Sequence, residues 1–243
     1  MKKLTTLLAA VLVWSLLPGQ PVAAATACFK GPDKTKRGLM TGNVDADDLT
    51  DRVWMSRGRV NGRCRWYLVI DSSEHGKIRH RVKPVDDYQR YILRYHSRPV
   101  GLVDVDSVPG LEIALQLFQG VAVGGFGLFT LREGVVHRMP ATGPGAPLNH
   151  VFLYGGSGSG IHATDCAFDK GPDTIVSSSA HPRSYDGPRK WWIVKRRWFQ
   201  VQDTDLVRTD HPTQKKTVRF NRIAERFDEF GAGPLAGCEG APH

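Results

Sequence analysis

Three acidic segments, 61 residues apart, carry the side chains best suited to chemistry. The first, Asn43-Val44-Asp45-Ala46-Asp47-Asp48-Leu49-Thr50-Asp51, sets oxygen-bearing side chains at positions 1, 3, 5 and 9: Asn43, Asp45, Asp47 and Asp51. Calcium takes six to eight oxygens on a flexible loop, and alternate acidic residues point inward while those between point out. The Leu49 carbonyl and water would complete such a shell, so this loop is expected to be competent for one calcium ion. The second segment keeps Asp104, Asp106 and Glu112 at positions 1, 3 and 9 but has Val108 and Pro109 at positions 5 and 6. The third keeps Asp165, Asp169 and Asp173 but has Ala167 at position 3. Both read as decayed versions of the first. The plainer reading of all three is a turn whose Asx side chains cap their own backbone.

Catalytic constellations are thin. Gly155-Gly156-Ser157-Gly158-Ser159-Gly160 does not complete the G-x-S-x-G nucleophile elbow, and no helix pattern follows it. It reads as a flexible β-turn. Nine histidines include no H-E-x-x-H, no H-x-H and no Cys/His metal spacing. His162 with Asp165 is the best local acid–base pair, with His150 expected to approach it across a hairpin.

The stretch from Arg189 to Phe199 interleaves aromatics with cations. On a strand, Trp192, Arg196 and Trp198 share one face, where stacking plus charge could hold an anionic glycan or a single-stranded nucleic acid. The structural alternative puts the tryptophans in the core with Lys and Arg reaching outward.

The chain that must position these residues has 243 residues, 41% of them hydrophobic, with six tryptophans. That is enough apolar material for a real core and argues against disorder. Gly has no three-residue period and heptads do not persist, which removes collagen and coiled coil. The one long apolar run, Leu4–Leu17, follows Lys2-Lys3 and precedes Ala23-Ala24-Ala25-Thr26-Ala27. It reads as a signal peptide over residues 1–27, cleaved after Ala25 or Ala27 and too short to anchor in a membrane. A lipid anchor at Cys28 is the alternative, weakened because Ala25 stands where a lipobox favours a Leu-like residue. No transmembrane span is expected. Four cysteines, Cys28, Cys64, Cys166 and Cys238, in an exported chain suggest two disulfides. Of the three connectivities, Cys28 with Cys64 and Cys166 with Cys238 is preferred. The net charge of +9 suits an anionic partner, though solubility explains it equally well.

Beyond the leader, short runs rich in β-branched and aromatic residues alternate with turns, at 65–70, 112–118, 126–131, 135–139, 148–154, 174–178 and 191–201. This density of strand and turn predicts an antiparallel all-β domain over residues 28–243, with pseudo-repeats starting near 43, 104 and 165. Pro140–Pro147 reads as a linker or long loop. Phe220, Ile223, Ala224, Phe227 and Phe230, ending at Gly231, predict a short C-terminal helix that caps the sheet with its Phe face.

Acidic loops followed by a strand, repeated about every sixty residues over 40–180, resemble the FG-GAP or VCBS-type repeats of integrin-like propellers. The stretch from Gly101 to Met139 is similar to exported bacterial proteins of unassigned function that carry such repeats. The glycine that family places at position 6 is Asp48, Pro109 and Lys170 here. Three units and a remainder fall short of the four to eight blades of a closed propeller, so the β-meanders are expected in an incomplete propeller-like or sandwich arrangement. The resulting expectation is a secreted, non-enzymatic binding protein stabilised by one calcium, with an unidentified extracellular partner such as an anionic polymer. Nucleic acid is the less favoured partner. The alternative is a secreted hydrolase of an extracellular polymer, using His162 and Asp165.

Overall fold

The computed structural model describes residues 36–184, 190–231 and 233–238. The expected signal peptide and Cys28 lie outside the described residues. Among the described residues the elements are strands in mainly antiparallel sheets, with short helices at 87–95 and near the C-terminus and no closed barrel. No helix among the described residues is long and apolar enough to cross a membrane.

A four-stranded meander recurs three times. β1 (Arg37–Gly42), β2 (Asp51–Val60), β3 (Arg63–Ser72) and β4 (Gly76–Val82) form a sheet of their own. β5 (Pro99–Val103), β6 (Glu112–Gln119), β7 (Val123–Arg132) and β8 (Val135–Met139) repeat the order. After the two-residue β9 (Ala141–Thr142) and β10 (Phe152–Ser157), the order returns in β11 (Gly160–Cys166), β12 (Thr174–Pro182), β13 (Trp191–Gln202) and β14 (Asp205–Arg208). β10 pairs with β7 on one side and β11 on the other, which fuses the second and third meanders into one 11-stranded sheet. β15 (Gln214–Arg219) lies along the first half of β13.

Side-chain alternation turns this path into layers. Ile113, Leu115 and Leu117 of β6, with Phe129 and Leu131 of β7, pack on Val53, Met55, Leu68 and Ile70 of the first sheet. From the opposite face of the same two strands, Ala114, Phe126 and Leu128 pack on Ile175, Phe199 and Leu206. The large sheet therefore folds back on itself, and the second meander is buried on both faces. That is why its strands read as nearly continuous apolar runs rather than as alternation. A third cluster joins Trp192, Val194 and Val218 to Ile223 and Phe227.

The C-terminal helix is shorter than its periodicity suggests. α2 comprises only Ile223–Arg226, because Phe227 is extended at φ −143° and a separate 3-10 turn carries Asp228–Phe230. Ile223 and Phe227 are buried as expected, while Phe220 stays half in solvent with its ring 4.8 Å from Trp192. Sequence periodicity did not reveal α1 (Asp87–Tyr95), numbered first in the chain. Asp86 caps it by accepting the Gln89 N–H, and it buries only Gln89, Ile92 and Leu93. The expected strand at 148–154 begins instead with a 3-10 turn at Leu148–His150.

Candidate functional site

The acidic loops sit where β1 passes to β2 and β5 to β6, and both close in the same way. The position-9 carboxylate accepts the N–H of position 2: Asp51 from Val44 at 2.8 Å, Glu112 from Val105 at 3.1 Å. The position-3 carboxylate accepts the N–H of position 5, Asp45 from Asp47 and Asp106 from Val108. The loops also touch, since the Leu111 N–H donates to the Asn43 carbonyl at 2.9 Å. Position 6 of the first loop does enter the left-handed region, with Asp48 at φ 63°. Asp is among the few residues that tolerate this conformation without Gly.

In the first loop, Asp45, Asp47 and Asp51 bring carboxylate oxygens within 4.8 Å of one another. The Asn43 side-chain oxygen accepts the Ala46 N–H at 2.7 Å in an Asx turn. The cluster's other partners are neutral. Asp45 accepts the Ser72 hydroxyl at 2.5 Å, Asp47 the Ser73 hydroxyl, and Asp51 the Ser73 N–H at 3.1 Å. The Ser73 hydroxyl and the Leu49 N–H hold Asp47 below the usual carboxylate range. Among the described residues no cationic side chain pairs with these three acids.

The second loop also converges, with Asp104, Asp106 and Glu112 all buried and within the same 4.8 Å. Here Arg132 supplies the positive charge, 2.9 Å from Asp106 and 3.2 Å from Glu112. Glu112 is fully buried and accepts the Thr130 hydroxyl as well. Burial first, and the Asp106 charge second, push its carboxyl from the ordinary 4.5 up to about 8. Burial also raises Asp106. The third loop does not converge. Asp165 turns to the N–H groups of Gly237 and Cys166, Asp169 pairs with Lys170 at 2.8 Å, and Asp173 accepts the Ser107 hydroxyl.

Sequence reading missed Ser72, Ser73 and Arg132. Each stands where the second strand of its hairpin ends, Ser72 closing β3 and Arg132 closing β7. Extending the repeat comparison past the acidic loop to that strand end would have found them.

His162 and Asp165 are not brought together. Three residues apart on β11, they leave opposite faces of the strand, and burial raises the Asp165 carboxyl while its oxygens take backbone N–H groups. His150 is held by the Ala141 carbonyl at 2.8 Å. The Gly-rich stretch is the β10–β11 hairpin turn, with Ser157 paired to Gly160. Trp192 and Trp198 are buried at 1% and 4% exposure, and Arg196 lies against Glu229 at 2.8 Å and over the Trp198 ring. That face of β13 is core, so its stacking surface is not open to a polymer. Cys166 and Cys238 form a disulfide, as preferred. Cys64 is disulfide-bonded too, and its expected partner Cys28 lies outside the described residues.

One cleft stands apart from these loops. It has a volume of about 590 Å³ between β11–β13 and the segment following β9, and it includes His162 and Arg197. Comparison of the chain with protein-family models, curated proteins and solved structures gave no match.

Proposed function

We propose that the chain is a secreted, non-enzymatic binding protein of the FG-GAP/VCBS-repeat kind, and that its first acidic loop takes up one calcium ion that stiffens the edge of the first sheet. The contrast between equivalent loops carries this reading. Where three carboxylates converge in the second loop, Arg132 pairs with two of them, Asp106 and Glu112. In the first, three carboxylates converge with only hydroxyl and N–H partners. A hard divalent cation with oxygen ligands fits that gap, and the Ser72 and Ser73 hydroxyls add neutral oxygens beside the acids. The loop-to-strand order repeated at 61-residue spacing supports the family resemblance. The disulfide and the N-terminal leader pattern support export.

Calorimetric titration of the oxidised, leader-free protein with calcium tests this. The expected result is one site per chain, lost in Asp51→Asn and kept in Asp169→Asn, whose side chain lies outside the cluster. Absence of a saturable site at millimolar calcium, or a site that survives Asp51→Asn, contradicts it.

A further inference from the structure

The 590 Å³ cleft has the size of a small-molecule site. Its floor is apolar, made by Leu117, Phe118, Val151 and Leu153. Its polar wall follows from the strand ladder: His162 stands opposite Ser179, and Ser177 stands between Thr164 and Arg197. Directly paired residues share a face with Cβ atoms about 5 Å apart, so Ser177 and Arg197 project into the cleft as neighbours.

Arg197 is half-buried, yet among the described residues its guanidinium has neither a carboxylate nor a hydrogen-bond acceptor. The backbone of the facing loop flanks it: a Cβ added at Gly145, which sits at φ +75°, would lie 3.0 Å from Arg197 Nε. The other acid and base of the lining do not answer it. Asp86 gives a carboxylate oxygen to the Gln89 N–H at 2.6 Å, and burial disfavours the protonated form of His162. A partly desolvated guanidinium with open donors favours a planar anion held through two parallel hydrogen bonds. The apolar floor favours a hydrocarbon body on the same ligand.

We propose that this cleft binds a small amphipathic carboxylate, with its anionic group on Arg197 and Ser177 and its apolar body over Leu117, Phe118, Val151 and Leu153. The inference goes beyond the cation reading of the acidic loop and does not rest on it.

The test is calorimetric titration of the oxidised, leader-free protein with 2-naphthoate and with its neutral counterpart 2-naphthalenemethanol. Chelator is present throughout, so the result is independent of any loop cation. The acid is expected to bind saturably, at least about tenfold more tightly than the alcohol. In Arg197→Gln that preference is expected to vanish while the melting temperature stays within a few degrees of the parent. Should Arg197→Gln not melt cooperatively, Ser177→Ala decides: weaker acid binding with unchanged alcohol binding supports the proposal, and unchanged acid binding overturns it. Equal binding of acid and alcohol, an Arg197→Gln variant that keeps the preference, or no saturable binding of the acid at millimolar concentration each overturns it.

Discussion

If Arg132 stands in for a cation in the second loop, replacing it with Gln leaves Asp104, Asp106 and Glu112 buried together without their guanidinium. Breaking a buried pair by removing one partner costs about 3–5 kcal/mol. For a chain of this size each kcal/mol moves the melting temperature by about 2–4 °C, so the expected fall is roughly 10 °C. The loss also depends on pH in a defined direction. The Glu112 carboxyl titrates at about 8 when folded against an ordinary 4.5, so the folded state holds a proton that the unfolded chain has released. Stability from this group is full below pH 4.5, declines as pH rises through the interval to 8, and is flat above. At pH 6 Glu112 is largely protonated and needs the guanidinium less; at pH 9 it is ionised and needs it more. The variant should therefore lose at least about 1 kcal/mol more at pH 9 than at pH 6, since one pKa unit is worth about 1.4 kcal/mol. Thermal melts of parent and variant at the two pH values, followed by circular dichroism, measure this. A loss below about 1 kcal/mol, or an equal loss at both pH values, refutes the reasoning.

Three further outcomes are expected. The Cys166–Cys238 bridge spans 72 residues, and loop-closure entropy gives it about 4 kcal/mol; Cys166→Ala with Cys238→Ala should lower the melting temperature by roughly 10 °C, and a change under 2 °C would contradict that. Trp192 is 1% exposed in the third core cluster, so Trp192→Ala should cost about 3–5 kcal/mol by denaturant titration. Asp86→Ala removes the N-cap of α1 and should cost about 1 kcal/mol by the same measurement.

How much of this was legible in the sequence depends on what each residue type encodes locally. The strands at β3, β6, β7, β8, β12 and β13 were readable because burial on one or both faces leaves a β-branched and aromatic signature. β4, Gly-Lys-Ile-Arg-His-Arg-Val, was not, because it is an edge strand whose outward positions are charged. α1 escaped because only two of its buried positions, Ile92 and Leu93, are aliphatic, the third being the polar Gln89. The acidic clusters at 45–51 and 104–112 were visible as spacing. Their difference was not, since it turns on Ser72, Ser73 and Arg132, which pairing across a hairpin brings beside the loops. Asn43 stands at position 1 of the first loop, where its side-chain oxygen accepts the Ala46 N–H in an Asx turn. The Trp192–Trp198 strand shows the opposite limit: alternation defined its faces, while only the packing of Ile223, Phe227 and Glu229 shows that one of them is covered.

The proposal that the first loop is a calcium loop and the second its arginine-filled counterpart is tested most directly by melting the oxidised protein in chelator and then in millimolar calcium, beside an Asp45→Ala, Asp47→Ala double variant. Calcium at ten times its dissociation constant stabilises by about 1.4 kcal/mol, which is roughly 3–6 °C here. The account predicts that rise in the parent and none in the double variant. Identical melts with and without calcium, or an equal rise in both proteins, would contradict it.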